Sequence, residues 1–162
     1  MERDEVDDIV EAWQRERADL DLAPVEVFSR ISRLSRLLDL ARREAFTVHQ
    51  IEPWEFDVLA ALRRAGRPYQ LSPGRLLTET MVTSGTMTNR VDRLAARGLV
   101  ERTPSPTDRR GVLVGLTNAG KRAVDGAFEA LLDSERSLLA ELAPDQQAEL
   151  AALLRRLMGP LR

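Results

Sequence analysis

The chain has 162 residues, 43% of them apolar and 31% charged, with a formal net charge of −2. That balance fits a folded domain, or one domain with extensions, and not a disordered chain. There is no cysteine and a single histidine, His49, which excludes disulfides, thiol redox chemistry and thiolate metal sites. His49 has no carboxylates gathered around it in the sequence and reads as a helix-end residue. No apolar run approaches the roughly 18 residues that span a bilayer. The start, MERDEVDDIVEAW, lacks the basic opening and apolar core of a signal peptide. A cytoplasmic protein is expected.

Val6, Ile9, Val10, Trp13 and Leu20 recur at helical spacing and predict an amphipathic helix over residues 4–20. After Pro24, a longer stripe of Val27, Ile31, Leu34, Leu38, Ala41 and Ala45 predicts a second helix. EPWEFDVLAALRRAG (52–66) reads as a third, with Pro53 in its first turn and Gly66 as its stop. LSPGRLLTETM follows, with Ser72 as N-cap and Pro73 at the first helical position. TSGTMTNRVDRLAARG gives the next helix, ended by Gly98. Two strands come next, LVERT (99–103) and the alternating Val112, Val114 and Leu116, joined by the Pro-rich loop SPTDRRG into a hairpin. Thr117 caps a long helix that Pro144 breaks, and PDQQAELAALLRRLM makes the last one. The expected order is five helices, two strands and two helices, with no internal repeat.

The modest net charge hides a segregation. The first nineteen residues carry eight acids against three arginines. Residues 84–110 carry six bases, Arg90, Arg93, Arg97, Arg102, Arg109 and Arg110, against Asp92, Glu101 and Asp108. This is a local basic footprint on an acidic chain. Two short helices with a tight turn, then a hairpin with a basic tip, describe a winged helix-turn-helix. At 100° per residue, Met87, Val91, Leu94 and Ala95 form one side of the second helix. Gly85, Thr86, Asn89 and Arg93 form the opposite side. The short groups on that side, with Ser84 and Thr88, allow close approach to phosphates, while Asn and Arg suit base edges in the major groove. In this arrangement Arg109 and Arg110 lean over the neighbouring minor groove, with Asp108 able to accept a hydrogen bond from one guanidinium.

TSGTMTNRVDRLAARGLVERTPSPTDRRGVLVGLTNAGK resembles the recognition helix and wing of the MarR regulators, including the D-R-R wing tip and the L-T-x-x-G that opens the following helix. The flanking helices resemble the family's dimerisation region. The resemblance implies a mainly α (α+β) fold: N-terminal helices over residues 1–50, a DNA-binding lobe over 51–117, and C-terminal dimerisation helices over 118–162. It also implies a homodimer on a pseudo-palindromic operator in double-stranded DNA, its two recognition helices roughly 34–36 Å apart.

Arg90 lies off the DNA side of its helix, at the edge of the buried side, and needs a partner. Asp57 is the expected one, with Arg102 as a second nearby cation. These residues read either as a structural ion-pair network or as part of an effector site. The extra N-terminal helix with its tryptophan, together with one acid and two arginines, resembles the urate-responsive branch of the MarR family. That resemblance implies an effector set of Trp13, Asp57, Arg90 and Arg102. The effector would be urate, a phenolic acid or another small aromatic or anionic ligand that releases a repressor from its operator. The alternative is a DNA-binding regulator without a small-molecule switch. With no cysteine, one histidine and no phosphate-binding glycine loop, neither an enzyme nor a cofactor is expected.

Overall fold

A computed structural model describes residues 3–106, 108 and 111–159. The elements run α1 (Glu5–Glu16), α2 (Ala23–Thr47), α3 (Pro53–Arg64), β1 (Gln70–Leu71), α4 (Pro73–Thr80), α5 (Ser84–Ala96), β2 (Val100–Pro104), β3 (Val112–Leu116), α6 (Asn118–Leu138) and α7 (Pro144–Met158). The fold is mainly helical with one small sheet, as the sequence predicts. Contacts divide the chain into a unit of residues 1–41 and a larger unit of residues 42–162.

In the N-terminal unit, Asp4 caps α1 by accepting from the N–H groups of Val6 and Asp7. Asp7 reaches back to the Asp4 N–H at 2.8 Å and closes a capping box. Arg30 on α2 binds both carboxylates, Asp4 at 2.8 Å and Asp7 at 2.7 Å. Hydrogen bonding to Arg30 holds the Asp4 carboxyl below its ordinary value of 3.8. The helix ends at Glu16, short of the predicted residue 20. The Arg17 guanidinium binds Asp19 instead, and the chain turns through a bond from the Leu20 N–H to the Arg17 carbonyl.

The larger unit is built on the apolar face of α3. Phe56, Val58, Leu59, Ala61 and Leu62 are buried against Leu76 of α4, Met87, Val91 and Leu94 of α5, Val114 of β3, and Val124 and Ala127 of α6. The 3.6-residue period that predicts α5 therefore reports its packing directly. Ser72 caps α4 through the Arg75 N–H, and Gly98 ends the α5 turn with φ +67°, a conformation that suits glycine. Every buried side-chain polar atom among the described residues has a partner.

The hairpin has the expected strands, paired antiparallel from Val100 with Leu116 to Pro104 with Val112. Pro104 extends the first strand by one residue past the predicted end, at the sheet's edge, where its missing N–H does no harm. A third strand, β1, is absent from the expected order. It pairs Gln70 with Gly115 and Leu71 with Val114, giving the order β1-β3-β2. A Cβ at Gly115 would lie 2.9 Å from Gln70 Cγ, so the Gln70 side chain packs over the glycine of the neighbouring strand.

The L-T-x-x-G signature has a physical basis. Thr117 Oγ1 accepts from the Gly120 N–H at 3.0 Å and donates to the Gly98 carbonyl at 2.8 Å. It therefore caps α6 and ties it to the turn after α5. At Gly120 an added Cβ would sit 1.9 Å from the Leu99 carbonyl oxygen. That contact is with backbone, which cannot swing away. Gly120→Ala is expected to cost the upper end of the about 1–3 kcal/mol typical of overpacking, read as a lower urea midpoint with an unchanged slope. A wild-type midpoint would mean that β2 and α6 separate freely.

Candidate nucleic-acid interface

Helix α5 presents two sides. Met87, Val91 and Leu94 are buried, while Ser84, Gly85, Thr86, Thr88, Asn89 and Arg93 are exposed. The exposed set is itself divided. Gly85, Thr86, Asn89, Arg90 and Arg93 line a hollow of about 490 Å³ whose far wall is Trp54 of α3. Ser84 and Thr88 lie on the other edge, where a small cavity of about 90 Å³ is lined by Pro73, Leu77, Met87, Val91 and Arg102. At the start of the helix the hydroxyls of Thr83 and Thr86 lie 3.0 Å apart.

The wing loop is closed by backbone: the Ser105 N–H donates to the Gly111 carbonyl, and the Gly111 N–H to the Asp108 carbonyl, each at 2.9 Å. The Asp108 N–H also donates to Ser105 Oγ at 3.3 Å. Asp108 thus sits in the turn between Ser105 and Gly111. Arg109 and Arg110 lie outside the described residues.

Arg90, expected off the DNA side of its helix, instead lines the same hollow as Asn89 and Arg93, and both it and Arg102 have other partners than the sequence suggests. The expected Arg90–Asp57 pair does not form. Asp57 is bound at 2.5 Å by Arg42, whose guanidinium also lies 5.4 Å from the Phe46 ring centre and 5.6 Å from that of Phe56. Arg90 instead lies over the Trp54 ring at 5.6 Å, with no ion-pair partner among the described residues. Arg102 binds Asp92 at 2.5 Å. The physical reason is reach: α2 brings Arg42 to Asp57, while the face of α5 that carries Arg90 meets the flat indole. Trp13, on α1 in the N-terminal unit, exposes 52% of its surface.

Sequence reasoning missed Glu52 and Trp54. Glu52 accepts from Trp54 Nε1 at 2.5 Å and from Arg93 Nη2 at 3.3 Å, and the Arg93 guanidinium lies 4.6 Å from the indole centre. The signal was an aromatic in the first turn of α3, two residues after an acid. Trp54 packs partly against the core while meeting both Arg90 and Arg93. Among the described residues no group of three or more metal-ligating side chains occurs, and no helix there is long and apolar enough to cross a membrane.

Comparison with known proteins agrees with this geometry. The MarR family profile matches residues 49–111, the span from the end of α2 through the wing loop. The transcriptional regulator PecS of Dickeya dadantii is 39% identical over 152 residues, covering 94% of this chain and 92% of PecS. That likeness supports the PecS-like branch of the family. A cysteine-to-serine mutant of Escherichia coli MarR, in complex with operator DNA, superposes with a TM-score of 0.71 at 29% identity, covering 85% of this chain and 96% of MarR. Bordetella bronchiseptica BpsR, solved in a study of how 6-hydroxynicotinic acid regulates its DNA binding, superposes with a TM-score of 0.60 at 26% identity, covering 79% and 98%. The characterised relatives are transcriptional regulators, not enzymes. With a winged lobe, a polar recognition face and these relatives, the chain belongs to the MarR family of winged helix-turn-helix transcriptional regulators.

Proposed function

We propose that the protein is a cytoplasmic homodimeric repressor that reads a pseudo-palindromic operator through α5 and leaves it when a small aromatic or anionic effector binds. The observation that carries the DNA-reading role is the exposed face of Thr86, Asn89 and Arg93, set directly opposite the buried Met87, Val91 and Leu94. Solvated helix faces are usually covered by Glu and Lys, and this one has neither. Asn89 and Arg93 take base edges. Ser84, Thr86 and Thr88 take phosphates near the helix N-terminus, where backbone N–H groups favour anions. In the wing, Asp108 orients the tip and Arg109 and Arg110 enter the minor groove. The relative crystallised with operator DNA supports this reading.

Dimerisation is supported by apolar surface that the single chain leaves open. Helix α7 buries none of its residues, although Leu153, Leu154, Leu157 and Met158 share one face. Phe128, Leu138 and Leu139 add to the exposed apolar surface at the C-terminal end. Exposed apolar residues sharing one helix face, as on α7, are the mark of a protein interface.

The effector role rests on the resemblance to the urate-responsive branch and on the relative whose DNA binding answers to 6-hydroxynicotinic acid. Chemically, Arg90 and Arg102 of the larger unit attract an anion and Asp57 accepts from a ring N–H, while in the N-terminal unit the exposed Trp13 offers a flat face to a planar ring. Arg90 supports a switch in particular, because it sits on the reading helix without a carboxylate partner among the described residues. A ligand that binds it acts on α5, and coupling between ligand and DNA is then reciprocal.

The test is selection of bound duplexes from a random pool by the purified protein, with the winning sequence titrated at two salt concentrations. Urate and salicylate are each added in turn. Enrichment of a palindrome whose half-sites lie about one turn apart supports the reading; failure to enrich any sequence overturns it. Asn89→Ala is expected to cost about 1–3 kcal/mol on the selected site and little on random DNA. Trp13→Ala, Asp57→Asn, Arg90→Ala and Arg102→Ala are then compared for ligand release. A site that neither ligand weakens favours the regulator without this switch.

A further inference from the structure

The hollow on the reading face has one wall that is not part of the helix-turn-helix. Trp54, from the first turn of α3, lies beneath the guanidinium of Arg93, and Glu52 bridges the two by accepting from both the indole N–H and Arg93 Nη2. Both ends of the ion pair are open to solvent, with Arg93 55% and Glu52 57% exposed. An exposed pair contributes little to stability. Its effect is geometric, since a stacked and hydrogen-bonded guanidinium has lost most of its rotamers before any ligand arrives.

We propose that Glu52 and Trp54 are specificity-determining positioning residues that hold Arg93 aimed into the hollow and keep it off the phosphate backbone. This rests on the DNA-reading role of α5. Arg93 gives one N–H to Glu52 and keeps the rest of its fork for a bidentate contact with a guanine edge. Trp54 supplies a rigid floor by cation–π contact. Glu52 places a negative charge at the rim of the interface. That charge repels a phosphate, so a duplex that offers Arg93 no matching base gains little from it. The device trades overall affinity for discrimination.

The experiment compares wild type, Glu52→Gln, Trp54→Ala and Trp54→Phe on the duplex that wild type selects and on a random duplex, across a salt series. Freed from Glu52, Arg93 reaches backbone. Glu52→Gln is therefore expected to bind random DNA more tightly, with its log–log salt slope steeper by about 1. Its preference for the selected site is expected to fall about tenfold. Trp54→Ala is expected to lose about five- to tenfold on the selected duplex alone, with Trp54→Phe, which keeps a ring face, recovering most of it. Glu52 is exposed and outside the core, so its variant reports even where Trp54→Ala folds poorly. Equal change on both duplexes with unaltered slopes overturns the proposal. In the DNA-free protein the Arg93 side-chain protons should show an upfield ring-current shift that Trp54→Ala removes. Its absence in wild type overturns the clamp itself, a result separate from failure to select any DNA.

Discussion

Arg97→Ala is expected to be among the most destabilising single changes in the DNA-binding lobe, costing about 3–5 kcal/mol. Glu55 is the one charged side chain buried among the described residues, 1% exposed, and it pairs with Arg97, which is 40% exposed. Its other recorded hydrogen bond is from the Glu52 N–H at 3.0 Å. Arg97 also donates to the Gln50 carbonyl at 2.7 Å, so it fastens the end of α5 to the loop before α3. Truncating Arg97 leaves a carboxylate in the core with one donor and no counter-charge. Truncating the acid instead leaves an arginine that can turn to water. Glu55→Gln, which keeps the shape and an acceptor, should therefore cost less, about 1–3 kcal/mol. Urea denaturation at one fixed protomer concentration, as mass action in a dimer requires, checks the order. An Arg97→Ala variant as stable as Glu55→Gln would sink the argument.

The same pairing explains why the reading helix is held at one end and adjustable along its face. Glu52, the N-cap of α3, and Glu55 in its first turn meet Arg93 of α5 and Arg97, its C-cap, one turn apart. The inner pair is desolvated on its acid side and fixes where the helix sits. The outer pair is solvated and governs where a side chain points. Burial, not distance, decides which pair carries stability and which is free to serve recognition.

What was legible in the sequence follows the same division. The buried side of α5 could be read from Met87, Val91 and Leu94 because apolar periodicity is a direct record of packing. Ser72, Gly98 and Thr117 could be read because a cap or a positive φ restricts the residue that fills it. Strand β1 could not be: two residues carry no period, and its pairing of Gln70 with Gly115 is a tertiary contact. Nor could the partners of the arginines. A long side chain chooses among several acids according to the rotation of neighbouring helices, which is why Asp57 is held by Arg42 and Arg90 by the indole of Trp54. Residue type told which groups carry the chemistry, while tertiary placement decided which of them meet.

Leu153→Glu combined with Leu157→Glu is expected to abolish tight operator binding without unfolding the chain. Both side chains lie on the apolar face of α7, 51% and 40% exposed in the single chain and outside its core, so charging them leaves the core packing intact. Glutamate also keeps good helix propensity. In the proposed dimer the same positions are desolvated, and an unpaired carboxylate there costs several kcal/mol. The double variant should sediment as a monomer with an unchanged helical spectrum. Two recognition helices that no longer share one body lose the effective concentration that the first half-site gives the second, so affinity for the full palindrome falls about 10²- to 10⁴-fold. Binding to an isolated half-site, which one lobe reads alone, should hardly move. That contrast separates loss of the dimer from damage to the reading helix, because damage to α5 would lower both. A double variant that remains dimeric would remove α7 from the interface and assign the second copy to the apolar residues of α2 and α6.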